Sequence, residues 1–255
     1  MVEQATNYNA GMQLLQGKTA LVTGGAKRIG RELAISLAQA GAKIAITYRD
    51  SKSDAEHTVL QIVQAGGDAY AVHCDLNDEV SVRAAARSAI EQLGGLDLLV
   101  NNAGAYQTRD VEEITSAEFD LMFGTNVRAP FLLSQACIPE LRRRQGRIIN
   151  IGSLGGLRPW ATHAHYCASK AALHMLTQAM AKALAPEMSV NCVAPGMIVF
   201  PSSEETEEAL HFAKKTPMQR NGTAADVAAA VLFFATCPKF ITGQILAVDG
   251  GLSLV

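Results

Sequence analysis

The sequence predicts an α/β fold, and three observations predict it. Short runs dominated by Val, Ile, Leu and Ala alternate with longer stretches of helical apolar spacing along nearly the whole chain. Glycines stop two of the helical stretches, at Gly41 and at Gly66-Gly67, and a new apolar run begins just beyond each. Strand and helix alternating in this way favour a parallel sheet covered by helices.

Residues 1–16 are polar without a clear period, and we expect a mobile arm. Residues 18–22 read as a strand that runs into Thr23-Gly24-Gly25-Ala26-Lys27-Arg28-Ile29-Gly30. A helical pattern over 31–40 and a second strand over 43–47 complete a strand, glycine turn, helix, strand unit. In that setting the amides at the helix start face a pyrophosphate, and glycines let the backbone approach it. Nucleotide binding by Gly24, Lys27, Arg28, Ile29 and Gly30 is the expectation. The commoner pattern has glycine where Arg28 stands; its guanidinium either covers the phosphates or lies solvated at the helix start. The second strand ends in Tyr48-Arg49-Asp50-Ser51. Tyr48 occupies the place of the acid that holds the ribose hydroxyls in NAD-binding folds, and Arg49 suits a 2′-phosphate. Asp50 is the displaced acid or a turn residue. NADP(H) is the expected cofactor, with Tyr48, Arg49 and Ser51 as contacts.

A helix over 52–65 and a strand over 69–74 deliver Asp75-Leu76, which either hold and cover an adenine or cap the next helix. That helix reaches residue 93. A strand over 96–100 then enters Asn101-Asn102-Ala103-Gly104, turn chemistry that also leaves small residues beside a cofactor. Residues 117–144 read as one long helix, bent near Pro130 and Pro139, with Asn126 inside it. Arg142-Arg143-Arg144 suit its carbonyl end. The strand Ile148-Ile149-Asn150-Ile151 precedes Ser153, and another long helix extends to residue 185. Its small, apolar outer face suggests packing against another subunit. A strand over 189–193 leads to Ala194-Pro195-Gly196-Met197-Ile198. The glutamates in 202–208 read as a solvated first helical turn, with a lid as the alternative. A helix over 224–235, a strand over 244–248 and Asp249-Gly250-Gly251 follow. Neither a repeat nor a linker interrupts the pattern, so residues 17–255 are expected to form one domain.

Composition narrows the function. The 255 residues are 49% apolar with net charge −2, and both signs are dispersed, which disfavours nucleic acid and anionic membranes. No apolar run reaches the ~18 residues of a membrane span, so a cytoplasmic protein is the expectation. Five widely spaced cysteines without Cys-x-x-Cys fit neither a disulfide framework nor a zinc site, and no metal is expected.

The chemistry-bearing stretch ends in Tyr166-Cys167-Ala168-Ser169-Lys170. In a helix, Tyr166 and Lys170 share one face. A phenol ionises near pH ~10; a fixed ammonium beside it is expected to lower that value and yield a general acid/base. Ser153, at the end of a strand, can hydrogen-bond a substrate oxygen.

From 18 to the carboxyl terminus the chain resembles the short-chain dehydrogenase/reductase family. Thr23-Gly24…Gly30 is similar to its cofactor turn, Asp75 to its adenine contact and Asn101-Asn102-Ala103-Gly104 to its central motif. Asn126, Ser153, Tyr166 and Lys170 match its catalytic set, and Pro195-Gly196 the turn before its substrate loop, which extends the cofactor contacts to Ile198. The resemblance implies a Rossmann-type doubly wound parallel sheet of about seven strands, with helices on both faces. It also implies carbonyl reduction. Ser153 would steady the oxyanion, Tyr166 supply the proton, Lys170 lower the tyrosine pKa and hold the nicotinamide ribose, and Asn126 position a proton-restoring water chain.

The 27–30 turn, the Tyr166-Cys167 pair and the chain end resemble pteridine- and dihydrofolate-reducing members, which carry aspartate where this chain has Ser153. A serine is the weaker acid for a ring nitrogen, which favours a ketone or 3-oxoacyl thioester substrate and leaves a pterin reductase as the alternative. A catalytically silent NADP-binding sensor is a third reading. Tyr106, Leu154, Trp160, Met197 and Phe200 are the expected pocket walls, Trp160 serving equally well as packing. His163 and His165 are expected to be loop residues. The partners expected are a small-molecule substrate and further copies of the chain, as a dimer or tetramer.

Overall fold

Seven strands of four to seven residues form the centre of the molecule: β1 (Thr19–Val22), β2 (Lys43–Tyr48), β3 (Ala69–His73), β4 (Leu98–Asn101), β5 (Arg147–Ile151), β6 (Ser189–Pro195) and β7 (Ile245–Val248). They come from a computed structural model, which describes residues 13–200 and 206–255. The strands pair in the order β3-β2-β1-β4-β5-β6-β7, every pair parallel. All carboxyl ends therefore lie on one edge. The chain winds outward from β1 to β3 and then returns to β4 on the other side of β1, so a crevice opens where the two halves diverge.

Alternation along the strands sends side chains to two separate cores. Ala20, Val22, Ile44 and Ile46 meet α1 (Arg28–Gln39), α2 (Lys52–Gln64) and α8 (Ala224–Thr236) through Leu33, Leu37, Ile62, Val231 and Phe234. Leu21, Ala45, Leu99 and Ile148 meet α3 (Glu79–Leu93), α5 (Ala129–Arg143) and α6 (Ala164–Leu184) through Val82, Ala86, Leu133, Leu141 and Leu184. Fully burying one such leucine contributes roughly 1.5–3 kcal/mol, so each helical layer is held by its apolar stripe. Local signals set the ends: Gly94 closes α3 in the left-handed region (φ 74°), and a Thr223–Asp226 capping box opens α8.

Three expectations are corrected. The polar arm stops short of residue 16, because Leu15 is buried and its amide donates to the Ala40 carbonyl (2.8 Å); residues 1–12 lie outside the described residues. The long helix over 117–144 is two helices, α4 (Ser116–Phe123) and α5, joined by a π turn at Gly124–Arg128 that contains Asn126. The backbone stays right-handed helical through that turn, and Pro130 follows it directly, so the irregularity lies beside the proline expected to bend the helix. The glutamate segment is only partly described: 202–205 lie outside, and Thr206 caps α7 (Glu207–Lys215), with Glu207 and Glu208 in its first turn. No described helix is long and apolar enough to cross a membrane.

Candidate active site

The sheet's carboxyl edge gathers the predicted cofactor residues. Thr23, at the end of β1, ties two strand ends together: its Oγ1 accepts from the amides of Asn102 and Ala103 (both 2.9 Å), and its carbonyl accepts from Asn102 Nδ2 (2.8 Å). Gly24 takes φ 62°, and a Cβ on Gly30 would fall 2.2 Å from the Gly24 carbonyl oxygen, so only glycine closes this turn. Arg28 also lies in the left-handed region, at φ 53°, which explains why glycine is commoner there. Its guanidinium stands 5.9 Å from the Phe200 ring centroid. Lys27 pairs with Asp54 (2.9 Å), and Ile29 packs on the core.

Further along the edge, Tyr48 ends β2 with its ring edge-on to His73, and Ser51 occupies the start of α2 without a side-chain capping bond. Arg49 Nε donates to Asp50 Oδ2 (2.6 Å). That exposed pair is weakly held, so a phosphate can displace the carboxylate. Asp75 does not cap α3; Asp78 does, while the Asp75 carboxylate accepts the Asn77 amide (2.9 Å) in a local turn beside Leu76. Gly104 faces Asn126 and Lys170, where an added Cβ would lie 3.0 Å from Asn126 Oδ1 and 3.4 Å from Lys170 Nζ. At the end of β6, Pro195 and Gly196 pack against β7 and Asp249, and Ile198 bridges to Gly222. A glycine turn closed by backbone contacts, small residues along the rim and a helix start beneath them fit a dinucleotide.

The catalytic candidates converge at the end of β5. Ser153 is buried, and its Oγ accepts the Gly155 amide (3.1 Å). Tyr166 and Lys170 lie one turn apart on α6, both buried. Lys170 Nζ donates to the Ile151 carbonyl (2.9 Å) and lies 5.9 Å from the Tyr166 ring centroid. Burial lowers the Lys170 pKa to about 8. Burial raises Tyr166 to about 12, against the downward pull of a hydrogen bond with Ser153. Burial thus dominates the phenol, and the Lys170 ammonium is directed at a backbone carbonyl, not at the hydroxyl. The Asn126 side chain is engaged by protein partners: Oδ1 accepts the Ala105 amide (2.8 Å), and Nδ2 faces the Ala105 carbonyl and Ser169 Oγ (both 3.0 Å).

An aromatic rim surrounds Tyr166. Tyr106 meets it edge-on at 5.0 Å between centroids, and Trp160 lies nearly parallel at 6.0 Å. Of the other predicted walls, Leu154 is buried, while Met197 and Phe200 are partly exposed on the segment after β6. Of the two histidines expected in a loop, His163 is in one and His165 is not. His163 is buried directly before α6, its Nε2 lies 2.7 Å from the Tyr106 hydroxyl and 3.0 Å from Thr108 Oγ1, and burial pushes its pKa down. His165 is buried inside α6. Sequence reasoning placed Thr23 in the glycine turn without its bracing contacts and missed His174, since both sets of contacts reach residues distant along the chain.

A doubly wound parallel sheet with a glycine turn on one side of its crevice and a buried serine, tyrosine and lysine on the other defines a nucleotide-dependent oxidoreductase. Residues 24–253 match a family model described as enoyl-(acyl carrier protein) reductase. The 3-oxoacyl-[acyl-carrier-protein] reductase FabG of Staphylococcus aureus is 37% identical over 240 residues, covering 92% of this chain and 98% of the relative. Among solved structures, a short chain dehydrogenase from Burkholderia cenocepacia in complex with NADP has a TM-score of 0.88 and 40% identity, covering 93% of this chain and 98% of that one. A 7α-hydroxysteroid dehydrogenase complexed with NADH and 7-oxo glycochenodeoxycholic acid has a TM-score of 0.88 and 36% identity, covering 94% and 96%. The chain belongs to the short-chain dehydrogenase/reductase family.

Proposed function

We propose that this enzyme uses NADP(H) to reduce a ketone or 3-oxoacyl thioester to an alcohol, with Tyr166 as proton donor. The observation that carries the reading is the convergence of buried Ser153, Tyr166 and Lys170 beside Gly104, on the same edge as the glycine turn. When bound, the cofactor supplies the hydride that the carbonyl carbon accepts. Gly24, Lys27, Arg28, Ile29 and Gly30 hold its phosphates, Asp75 and Leu76 its adenine, and Asn102, Ala103, Gly104, Pro195, Gly196 and Ile198 flank its nicotinamide half. Tyr48, Arg49 and Ser51 favour the 2′-phosphate of NADP, while the similar solved structures include one with NADP and one with NADH.

Ser153 donates a hydrogen bond to the carbonyl oxygen as negative charge develops there. A phenol held at about 12 keeps its proton at neutral pH and gives it up to the more basic alkoxide. Lys170 is mostly charged at pH 7, since its pKa is about 8, and its ammonium holds the nicotinamide ribose and favours the phenolate left behind. Asn126 fixes the loop at Ala105 and the start of α6, and the proton-restoring water chain runs beside it. Tyr106, Trp160, Met197 and Phe200 line the substrate side.

Similarity to a 3-oxoacyl-[acyl-carrier-protein] reductase and to a hydroxysteroid dehydrogenase supports a carbonyl substrate. Arg28 over Phe200 keeps a pterin reductase as the second reading, since a cation and a ring together suit a planar heterocycle. NADPH consumption with ketones, acetoacetyl thioesters and dihydropterins tests both. Tyr166→Phe should lower kcat on the preferred substrate by roughly 10²–10⁴-fold. Undiminished turnover in that variant would remove Tyr166 from the chemistry, and a panel without turnover would leave a cofactor-binding sensor. We further infer a homo-oligomer, supported by apolar side chains left exposed on α4, α5 and α6.

A further inference from the structure

On α6, Tyr166, Lys170 and His174 follow at four-residue intervals and form one stripe. The first two belong to the catalytic reading; His174 continues the stripe behind the end of β5 and is 6% exposed. Its ring fills the space that two glycines leave. A Cβ on Gly152 would lie 2.3 Å from His174 Nε2, and one on Gly156 would lie 2.6 Å from its Cε1. Between those glycines sits Ser153, whose backbone amide points at His174 Nε2 across a long 3.5 Å contact. The same serine's Oγ accepts the Gly155 amide, so the turn is defined from both sides.

We infer that His174 is a positioning residue for Ser153: its neutral imidazole accepts the Ser153 amide on Nε2 and wedges the Gly152–Gly156 turn, aiming the serine hydroxyl at Tyr166. The role rests on the reading of Ser153 and Tyr166 as the reacting pair. An accepting Nε2 requires the ring proton on Nδ1, which has no hydrogen-bond partner among the described residues. The titratable groups around the ring are Lys170 on the same helix and Cys192 from β6. Burial first, then the Lys170 charge, push His174 down to about 4, against a smaller pull from the Gly156 backbone. The ring is thus neutral, and able to accept, at neutral pH.

Two measurements test this. In wild-type enzyme, nitrogen chemical shifts of the His174 ring should report the neutral Nδ1–H tautomer from pH 5 to 9; an Nε2–H tautomer or a charged ring overturns the inference without any substrate. In turnover, His174→Phe keeps a ring but loses the acceptor, and kcat should fall about 10- to 100-fold, with the KM for NADPH and the melting temperature little changed. His174→Gln restores an acceptor and should recover most of the rate. A His174→Phe enzyme as fast as wild type, or a His174→Gln enzyme as slow as His174→Phe, removes the role. Tyr166→Phe run in parallel separates the two ideas: if it loses its activity while His174→Phe turns over at the wild-type rate, only the present inference falls.

Discussion

At Lys170 burial pushes the ammonium pKa down to about 8, while at Tyr166 it lifts the phenol to about 12. An unfolded lysine titrates near ~10.4, so between about 8 and that value the unfolded chain binds the extra proton. Stability contributed at this position therefore rises with pH across the window, and the cost of burying the charge is fully present below about 8. Lys170→Met removes that cost. Its melting temperature relative to wild type should be most favourable near pH 7 and lose that advantage toward pH ~10; a difference that does not change with pH would contradict the assignment. Arg28 is strained instead by its backbone. Arg28→Gly relieves roughly 1–2 kcal/mol of left-handed cost but adds roughly 0.5–1 kcal/mol of chain entropy, so the melting temperature should change little. NADPH affinity should weaken about tenfold, as expected for a lost charge-assisted hydrogen bond of roughly 1.5 kcal/mol, and titration of cofactor fluorescence reads it. Spacing made Ser153, Tyr166 and Lys170 legible in the sequence. Their charge states were not, because Ile151 and the turn that enclose them pack only in the folded chain.

The π turn between α4 and α5 gives Asn126 its orientation. An uninterrupted α-helix over 117–144 would turn that side chain by a different angle, and its amide would not meet Ala105, Met122 and Ser169 together. Asn126→Ala leaves the half-buried Ala105 amide and carbonyl without these partners, at a cost of about 0.5–1.5 kcal/mol per hydrogen bond lost. Denaturant midpoints should fall accordingly, and kcat should fall with them, because the loop carrying Tyr106 is released. An unchanged midpoint would show that the turn, not the amide, fixes this loop. Strands and most helices were legible because glycine and apolar runs mark their ends, as Gly41, Gly66 and Gly94 do. The π turn was not: nothing in Gly124-Thr-Asn-Val-Arg128 departs from ordinary helical spacing, and the extra residue is accommodated by tertiary contacts. The contacts of His163 were hidden for the same reason, since its partners Tyr106 and Thr108 lie more than fifty residues earlier.

The whole molecule places its reactive groups along one sheet edge and leaves a second kind of surface elsewhere. Phe119, Leu121, Phe131 and Met175 stand exposed on α4, α5 and α6, between 41% and 64% accessible, which is costly for a lone subunit in water. Light scattering should return a multiple of 27.1 kDa, and Phe131→Asp with Met175→Asp should lower it; a monomer at micromolar concentration would oppose the oligomer inference. A parallel sheet covered by helices was readable from alternation and its seven doubly wound strands from the family resemblance, whereas this surface was only hinted at by the small residues of α6. At the opposite pole of the design is the knot formed by Thr23, Asn102 and Ala103. Protein groups already satisfy it, so on the proposed reading the glycine turn would receive a nucleotide as a finished mould, these three residues having nothing to rearrange on capture.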